Sequence, residues 1–455
     1  MARFEQHPSR GEGRRLIPHK EDAVNRYWLL CLFGSFLVGG CTTDSSSDGT
    51  ADVDVGDGPD VNIDLSISLP NNFPFLDDHG LSASYSTQGK VDLNGDFFKS
   101  FGINGRTCGS CHKPSDSWTV SLVDINLTFD LTLGLDPIFR PVDGTTSPNA
   151  DVHTLADRRK AYSMLLSRGT IRIGIGMPTG ADYTLSAVDD PYNFASASEL
   201  SLFRRPLPAT NLAFVNTVMW DGRVTGDNIF DAFVNQANAA TEGHAQSPVP
   251  LPTAAANQIV EFETALSTAQ TLTLPEGVLN TQGATGDPED LSKQAVGAGA
   301  FDLFDSWEDS SDPAKRSVYR GQVVFNTQLR TTGGGACNGC HSNQNDGTNA
   351  KGTFFNIHSA DGALRTADLP LYTFEDGSGD VVQTTDPGRG LITGLFADIG
   401  KFKVPGLRGL SARAPYFHNG QARTLLDVVR FYEDNLDFAF TEQQETDLVN
   451  FLAAL

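Results

Sequence analysis

Two short motifs carry the chemistry this chain could do. Cys108-Gly-Ser-Cys111-His112 and Cys337-Asn-Gly-Cys340-His341 share the pattern C-x-x-C-H. That is the attachment pattern for c-type haem: two thiols add across the two vinyl groups, and the imidazole of the next residue ligates the iron. Three other readings use the same cysteines. A four-thiolate zinc site places both pairs in one short module, whereas these pairs lie far apart in the chain. A dithiol redox site needs no following histidine. Two local disulfides leave both histidines unexplained. The pattern therefore predicts two covalently bound c-type haems, with His112 and His341 as iron ligands.

Haem-binding modules of this kind are mainly helical, and the flanking sequence supplies helices. Residues 255–269, with Ile259, Phe262 and Leu266, read as one. Before the second motif, Arg320–Phe325 leads into Gly333-Gly-Gly-Ala-Cys337, whose glycines let backbone pass close to a macrocycle. Thr441-Glu-Gln-Gln444 reads as a capping box. Leu448, Phe451, Leu452 and Leu455 follow at i, i+3, i+4, i+7, which predicts a terminal helix packed on the second haem. The stretch 118–200 is rich in Thr, Ser, Asp, Gly and Pro. It holds strand-like pieces such as Val120–Phe129 and reads as loops and short hairpins inserted after the first motif. Thr271–Lys293 is rich in Pro and Gly and marks a candidate boundary.

Composition narrows the setting. The chain has 455 residues, with 33 Lys+Arg against 56 Asp+Glu and a net charge of −23. Such acidity excludes nucleic-acid binding and direct contact with an anionic membrane. Six cysteines are too sparse for a disulfide scaffold. Trp28–Val38 is an apolar run of signal-peptide length. It ends Leu37-Val-Gly-Gly-Cys41, which resembles a bacterial lipobox with Cys41 as the lipidated residue. The acidic stretch 42–65 reads as a disordered tether. The expected location is the periplasmic side of a bacterial membrane, lipid-anchored, the outer membrane ahead of the inner.

Further motifs extend the pattern. Phe402-Lys-Val-Pro-Gly-Leu-Arg408 precedes Ala414-Pro-Tyr-Phe-His-Asn-Gly420 and Thr424–Tyr432, while Pro208-Ala-Thr-Asn211 and Met219-Trp-Asp-Gly-Arg223 lie between the two haem motifs. This arrangement resembles the bacterial di-haem cytochrome c peroxidase and MauG-type family over roughly residues 90–115, 203–246 and 315–455. The resemblance implies a mainly α fold: two cytochrome c-like haem domains with long loop and short-strand insertions, preceded by a signal peptide and a disordered tether. The expected division is 1–40 signal peptide, 41–75 tether, 76–290 N-terminal peroxidatic domain with insertion 118–200, and 291–455 C-terminal electron-transfer domain.

The resemblance also implies roles. Trp220 matches a tryptophan that assists transfer between the haems. Where these peroxidases carry a methionine ligand to the C-terminal haem, this chain has Tyr432, as MauG-type relatives do. Where they carry a distal histidine after the first motif, it has Thr128, and the next histidine is His153; the N-terminal site is expected to be open. The distal Gln and Glu of the family fall on Gln236 and Gln246, with Glu242 and His244 as substitutes for the missing acid. Arg389 and Arg408 are candidates for haem propionates. The family's calcium loses its Asn ligand to Arg205, leaving the Pro415 carbonyl and Asn211 as candidates. The implied reaction is reduction of hydrogen peroxide with electrons from a small c-type cytochrome or another donor, with a homodimer as the candidate assembly. MauG-like long-range oxidation of a protein or organic substrate is the alternative, and non-catalytic electron transfer the third.

Overall fold

The computed structural model describes residues 67–226 and 228–455. The signal-peptide and lipobox assignments, with Cys31 and Cys41, lie outside the described residues, as does most of the tether. Of the expected tether, residues 67–75 are described. There Ser68–Pro70 already pairs with Lys90–Asp92 as antiparallel strands.

The longer helices are α1 (Leu122–Thr132), α2 (Ile229–His244), α3 (Thr253–Ala265), α4 (Pro313–Thr327), α5 (Leu425–Leu436) and α6 (Glu442–Ala453). The longer strands are β1 (Gly80–Ser86), β2 (Ile171–Ile175), β3 (Tyr183–Asp189), β4 (Leu200–Arg204), β5 (Leu266–Thr273), β6 (Leu371–Asp376) and β7 (Val381–Thr384). Among the described residues helix outweighs strand, about 33% against 18%. None of the described helices is long and apolar enough to cross a membrane.

Two expectations need correction. Val120–Phe129 is not strand-like: Ser121 accepts from the Asp124 amide and starts α1, which buries Ile125 and Phe129 four residues apart. An N-cap and an i, i+4 apolar pair outweigh the β-branched residues there. The helix over 255–269 stops at Ala265, and Leu266 begins β5. That strand runs into the expected boundary because it pairs antiparallel with β1, from Leu266 opposite Ser86 to Thr273 opposite Gly80.

The predicted terminal helix is present. Thr441 caps α6 through the Gln444 amide, and Gln444 returns the bond. Helix α6 crosses α4 closely: a Cβ on Gly321 would meet the Asp447 carbonyl oxygen at 1.9 Å, so only glycine fits. Asp447 is buried there, accepting from Ser317 at 2.5 Å and from both forks of Arg320 at 2.7 Å. Phe301, Phe304, Trp307, Phe325, Leu448 and Phe451 fill the core beneath. Around the first motif, Phe97, Trp118, Ile259 and Phe262 form a second core.

A third core has no cytochrome-like counterpart in the sequence reading. The 118–200 insertion contributes β2 and β3, and β2 pairs with β4. A later segment contributes β6 and β7, and β6 pairs along its length with β3. Tyr372 and Phe374 alternate inward on β6 and pack with Tyr183, Leu200 and Leu202. The Tyr183 hydroxyl donates to Gly390 O at 2.8 Å. Arg168 pairs with Asp368 at 2.7 Å, and Arg204 with Asp386 at 2.6 Å and Asp221 at 2.5 Å. Segments following each motif thus co-fold into one β brace.

Candidate functional site

Each C-x-x-C-H motif opens on its own cavity. The N-terminal cavity has a volume of about 200 Å³ and the C-terminal one about 190 Å³; both walls are mostly apolar. Each motif forms one tight helical turn, over Cys108–Ser110 and Cys337–Cys340, which puts both thiols and the histidine in the cavity wall. His112 Nδ1 sits 2.8 Å from the Trp118 carbonyl and His341 Nδ1 2.6 Å from the Gly347 carbonyl. A carbonyl only accepts, so both Nδ1 atoms carry the proton and both Nε2 lone pairs are left for another partner. Burial keeps the rings neutral: it pushes His341 down to about 4 and His112 below its ordinary value.

The donor set fits c-type haem. Burial raises the Cys108 and Cys337 thiols to about 12 and Cys111 to about 11, so these are not thiolates poised for metal or redox chemistry. All four are free cysteines. Among the described residues, no group of three or more His, Cys, Asp or Glu gathers to hold a metal ion. An oriented neutral imidazole and two thiols at one edge of an apolar slot are what haem attachment requires.

The C-terminal cavity is lined by Leu425, Val429 and Tyr432 of α5 and by Leu448 and Leu452 of α6. Thr424 caps α5 through Asp427. The inward stripe predicted from sequence therefore faces the cavity. The Tyr432 hydroxyl has no hydrogen-bond partner among the described residues, and burial raises its pKa. Cations reach this cavity from Arg330, Lys403 and Arg413. Burial lowers Lys403 to about 8. Arg389 and Arg408 line neither cavity. Arg389 donates to the Asp221 and Gly222 carbonyls and covers the Phe354 ring, and Arg408 is buried against Gly286.

Trp220 lines both cavities. Its indole N–H donates to Arg205 O at 2.8 Å. His418 lies 6.2 Å away edge-on and stacks on Phe402 at 4.2 Å. Arg205 also borders both cavities, its side chain held by the Arg168, Val120 and Arg413 carbonyls. The Asn211 amide pairs with the Thr268 backbone on both sides, donating at 2.9 Å and accepting at 2.8 Å.

Helix α2 forms one wall of the N-terminal cavity, presenting Gln236, Ala240 and His244 at successive turns. Gln236 has no side-chain partner among the described residues. His244 Nδ1 lies 2.5 Å from Asp143 Oδ2, and the other oxygen of Asp143 pairs with the Arg106 guanidinium. Burial alone would raise Asp143, but the His244 bond and the Arg106 charge outweigh it and hold the carboxyl below its ordinary range. Glu242 and Gln246 do not line the cavity. Glu242 lies on the exposed side of α2, two residues round from Ala240. Gln246 follows the helix end with φ of 57° and accepts from Asn104 at 3.1 Å. His153 stays in solvent beside Asp151.

Sequence reasoning missed two residues here. Asp143 sits in the unplaced insertion, and no local pattern links it to His244. Glu263 lines the same cavity from α3, buried and without a partner, and burial pushes its carboxyl up to about 8. A signal existed for it: Glu263 falls four residues after Ile259, on the apolar face of the helix.

No family model matches the chain. A cytochrome-c peroxidase of Denitromonas iodatirespirans, IdrP2, is 27% identical over 296 residues, covering 62% of this chain and 72% of the relative. The methylamine utilization protein MauG of Methylophilus methylotrophus is 26% identical over 285 residues, covering 57% and 70%. A second Denitromonas iodatirespirans peroxidase, IdrP1, is 44% identical over 69 residues, 13% of this chain and 18% of its own. The solved structure of a MauG-like protein associated with microbial copper homeostasis aligns with 57% of this chain and 76% of its own, at 16% identity and a TM-score of 0.34.

Proposed function

The chain belongs to the di-haem cytochrome c peroxidase and MauG family, and from that premise we propose that it is an exported, lipid-anchored oxidoreductase that reduces hydrogen peroxide to water at its N-terminal cavity. The observation that carries this reading is the pairing of two C-x-x-C-H cavities across one shared wall, Trp220. His112 and His341 would hold the two irons, and the four cysteines the two macrocycles. Bound there, the haems supply the one-electron chemistry that the reaction needs.

The chain's own residues divide the remaining work. His244 handles the proton: Asp143 fixes its Nδ1, so its Nε2 is the atom that exchanges a proton with peroxide oxygen. Gln236 offers an amide to orient the peroxide. Two electrons and two protons turn one peroxide into two waters. The electrons enter through the C-terminal half from a small c-type cytochrome, and the −23 charge of the chain favours a basic donor.

One observation favours the MauG-like alternative. Tyr432 stands in the C-terminal cavity with an unpartnered hydroxyl, in the place of a thioether. Phenolate ligation stabilises ferric iron and suits oxidation of a protein or organic substrate. One measurement separates the readings: peroxide-dependent oxidation of reduced cytochrome c by the di-haem protein. Rapid turnover supports the peroxidase. Peroxide consumption without cytochrome turnover supports the MauG-like reaction, and inertness to peroxide leaves electron transfer alone.

A further inference from the structure

Glu263 occupies a position where helix α3 calls for an apolar side chain. The helix buries Ala256, Ile259, Val260 and Phe262, and Glu263 continues that face with 8% exposure in the wall of the N-terminal cavity. A buried carboxylate without partners is costly, and Leu at this position would avoid the cost.

The charged and titratable groups around it do not relieve that cost. From the turn Asp96–Phe98 and its end, Asp96 and Lys99 pair with each other at 2.8 Å. From α2, His244 is held by Asp143, while Asp231 and Glu242 are exposed. Glu261 on its own helix is also exposed. Cys108 and His112, from the motif, are both buried in neutral form. The cavity arginines are engaged elsewhere, Arg106 with Asp143, Arg204 and Arg223 with Asp221, and Arg205 with carbonyls. Burial is what raises the Glu263 carboxyl, and its charge in turn raises the neighbouring Cys108 thiol; it makes no hydrogen bond among the described residues.

We propose that Glu263 is a redox-linked proton site of the N-terminal cavity, taking up a proton when the neighbouring haem iron gains an electron and releasing it when the iron is oxidised. The step balances. One electron from a one-electron donor enters the iron, one proton from solvent joins the carboxylate, and only an O–H bond forms. The driving force is electrostatic: in a low-dielectric cavity an added negative charge favours the neutral carboxylic acid. Each electron delivered to this cavity thus brings a proton with it, which is the stoichiometry of peroxide reduction. The proposal rests on the haem reading of the cavity, not on which reaction the protein performs.

The test is a spectroelectrochemical titration of the di-haem protein, with chemical mediators, at pH values spanning the raised carboxyl range. The C-terminal haem serves as an internal reference. The midpoint of the N-terminal haem is expected to fall as pH rises, approaching 59 mV for each tenfold loss of protons in a one-electron couple. Glu263→Gln flattens that slope and leaves the C-terminal midpoint where it was. Glu263→Asp, which keeps a titrating group, retains a slope. The reduced-minus-oxidised infrared difference spectrum of the unaltered protein shows a protonated carboxyl band that Glu263→Gln removes. A flat midpoint in the unaltered protein, or a slope that survives Glu263→Gln, overturns the proposal. Haem is counted first: one haem per chain would overturn the two-haem reading along with it, whereas two haems with a flat midpoint overturn this proposal alone.

Discussion

Replacing Asp143 by Asn removes one charge from the array Arg106–Asp143–His244, and the structure sets the size of the effect. Asp143 is 4% exposed and Arg106 3%. Breaking a buried pair by removing one partner typically costs 3–5 kcal/mol. Arg106 keeps the Pro137 carbonyl at 2.8 Å and the Ile138 carbonyl at 2.6 Å. The lower end, about 3 kcal/mol, is therefore expected. Urea unfolding followed by circular dichroism measures it. The pH dependence adds a sign. The folded pKa of Asp143 lies below its unfolded value of about 3.9, so its contribution is present above that value and is lost as pH falls through the folded one. The gap between the two proteins should be full at neutral pH and close in acid. Freed from Asp143, His244 loses its fixed Nδ1 proton, and peroxide consumption is expected to fall about 10²–10⁴-fold. A neutral-pH gap under about 1 kcal/mol, or one that persists unchanged into acid, would refute the assignment of a buried charge pair.

Tyr432→Phe should change the oxidised spectrum of the C-terminal haem and raise its reduction potential, read by optical titration; an unchanged spectrum would remove the phenol from the iron. Trp220→Phe should slow peroxide-driven oxidation of the C-terminal haem while leaving cyanide binding at the N-terminal haem intact, and equal stopped-flow rates would show that Trp220 is only a packing residue. Gly321→Ala should destabilise by about 1–3 kcal/mol, because its Cβ would fall 1.9 Å from the Asp447 carbonyl; an unshifted urea midpoint would mean that α4 and α6 separate at little cost.

The parts of this site legible in the sequence were those whose chemistry is local. C-x-x-C-H is contiguous because both thiols must reach the vinyl groups of one macrocycle and the imidazole its iron, so all six residues could be placed from spacing alone. The α5 stripe was readable because helical period puts Leu425, Val429 and Tyr432 on one face. The distal groups were harder. Gln246 lies ten residues after Gln236, but the chain turns at the helix end and carries it away from the cavity. His244 could be named as a candidate, yet its partner Asp143 comes from a loop about a hundred residues earlier, and such pairing leaves no periodic trace. Val120–Phe129 misled because its β-branched residues suggest a strand, whereas Ser121 and the Ile125/Phe129 pair decide for a helix. The β brace was hidden for a similar reason: β6 alternates clearly, but nothing in it announces that its neighbour is β3.

That neighbour has a consequence for how the molecule is made. Thr184 on β3 bonds across to Glu375 on β6, 191 residues later in the chain. Ser84 on β1 likewise meets Thr268 on β5 across 184 residues. At a synthesis rate of roughly 5–20 residues per second, β3 waits on the order of 10–40 seconds for its partner. Through that interval it presents an unpaired edge, the kind of template on which chains join one another. A chain stopped before Leu371 therefore leaves β3 without its partner strand, an open edge on which a second chain could pair.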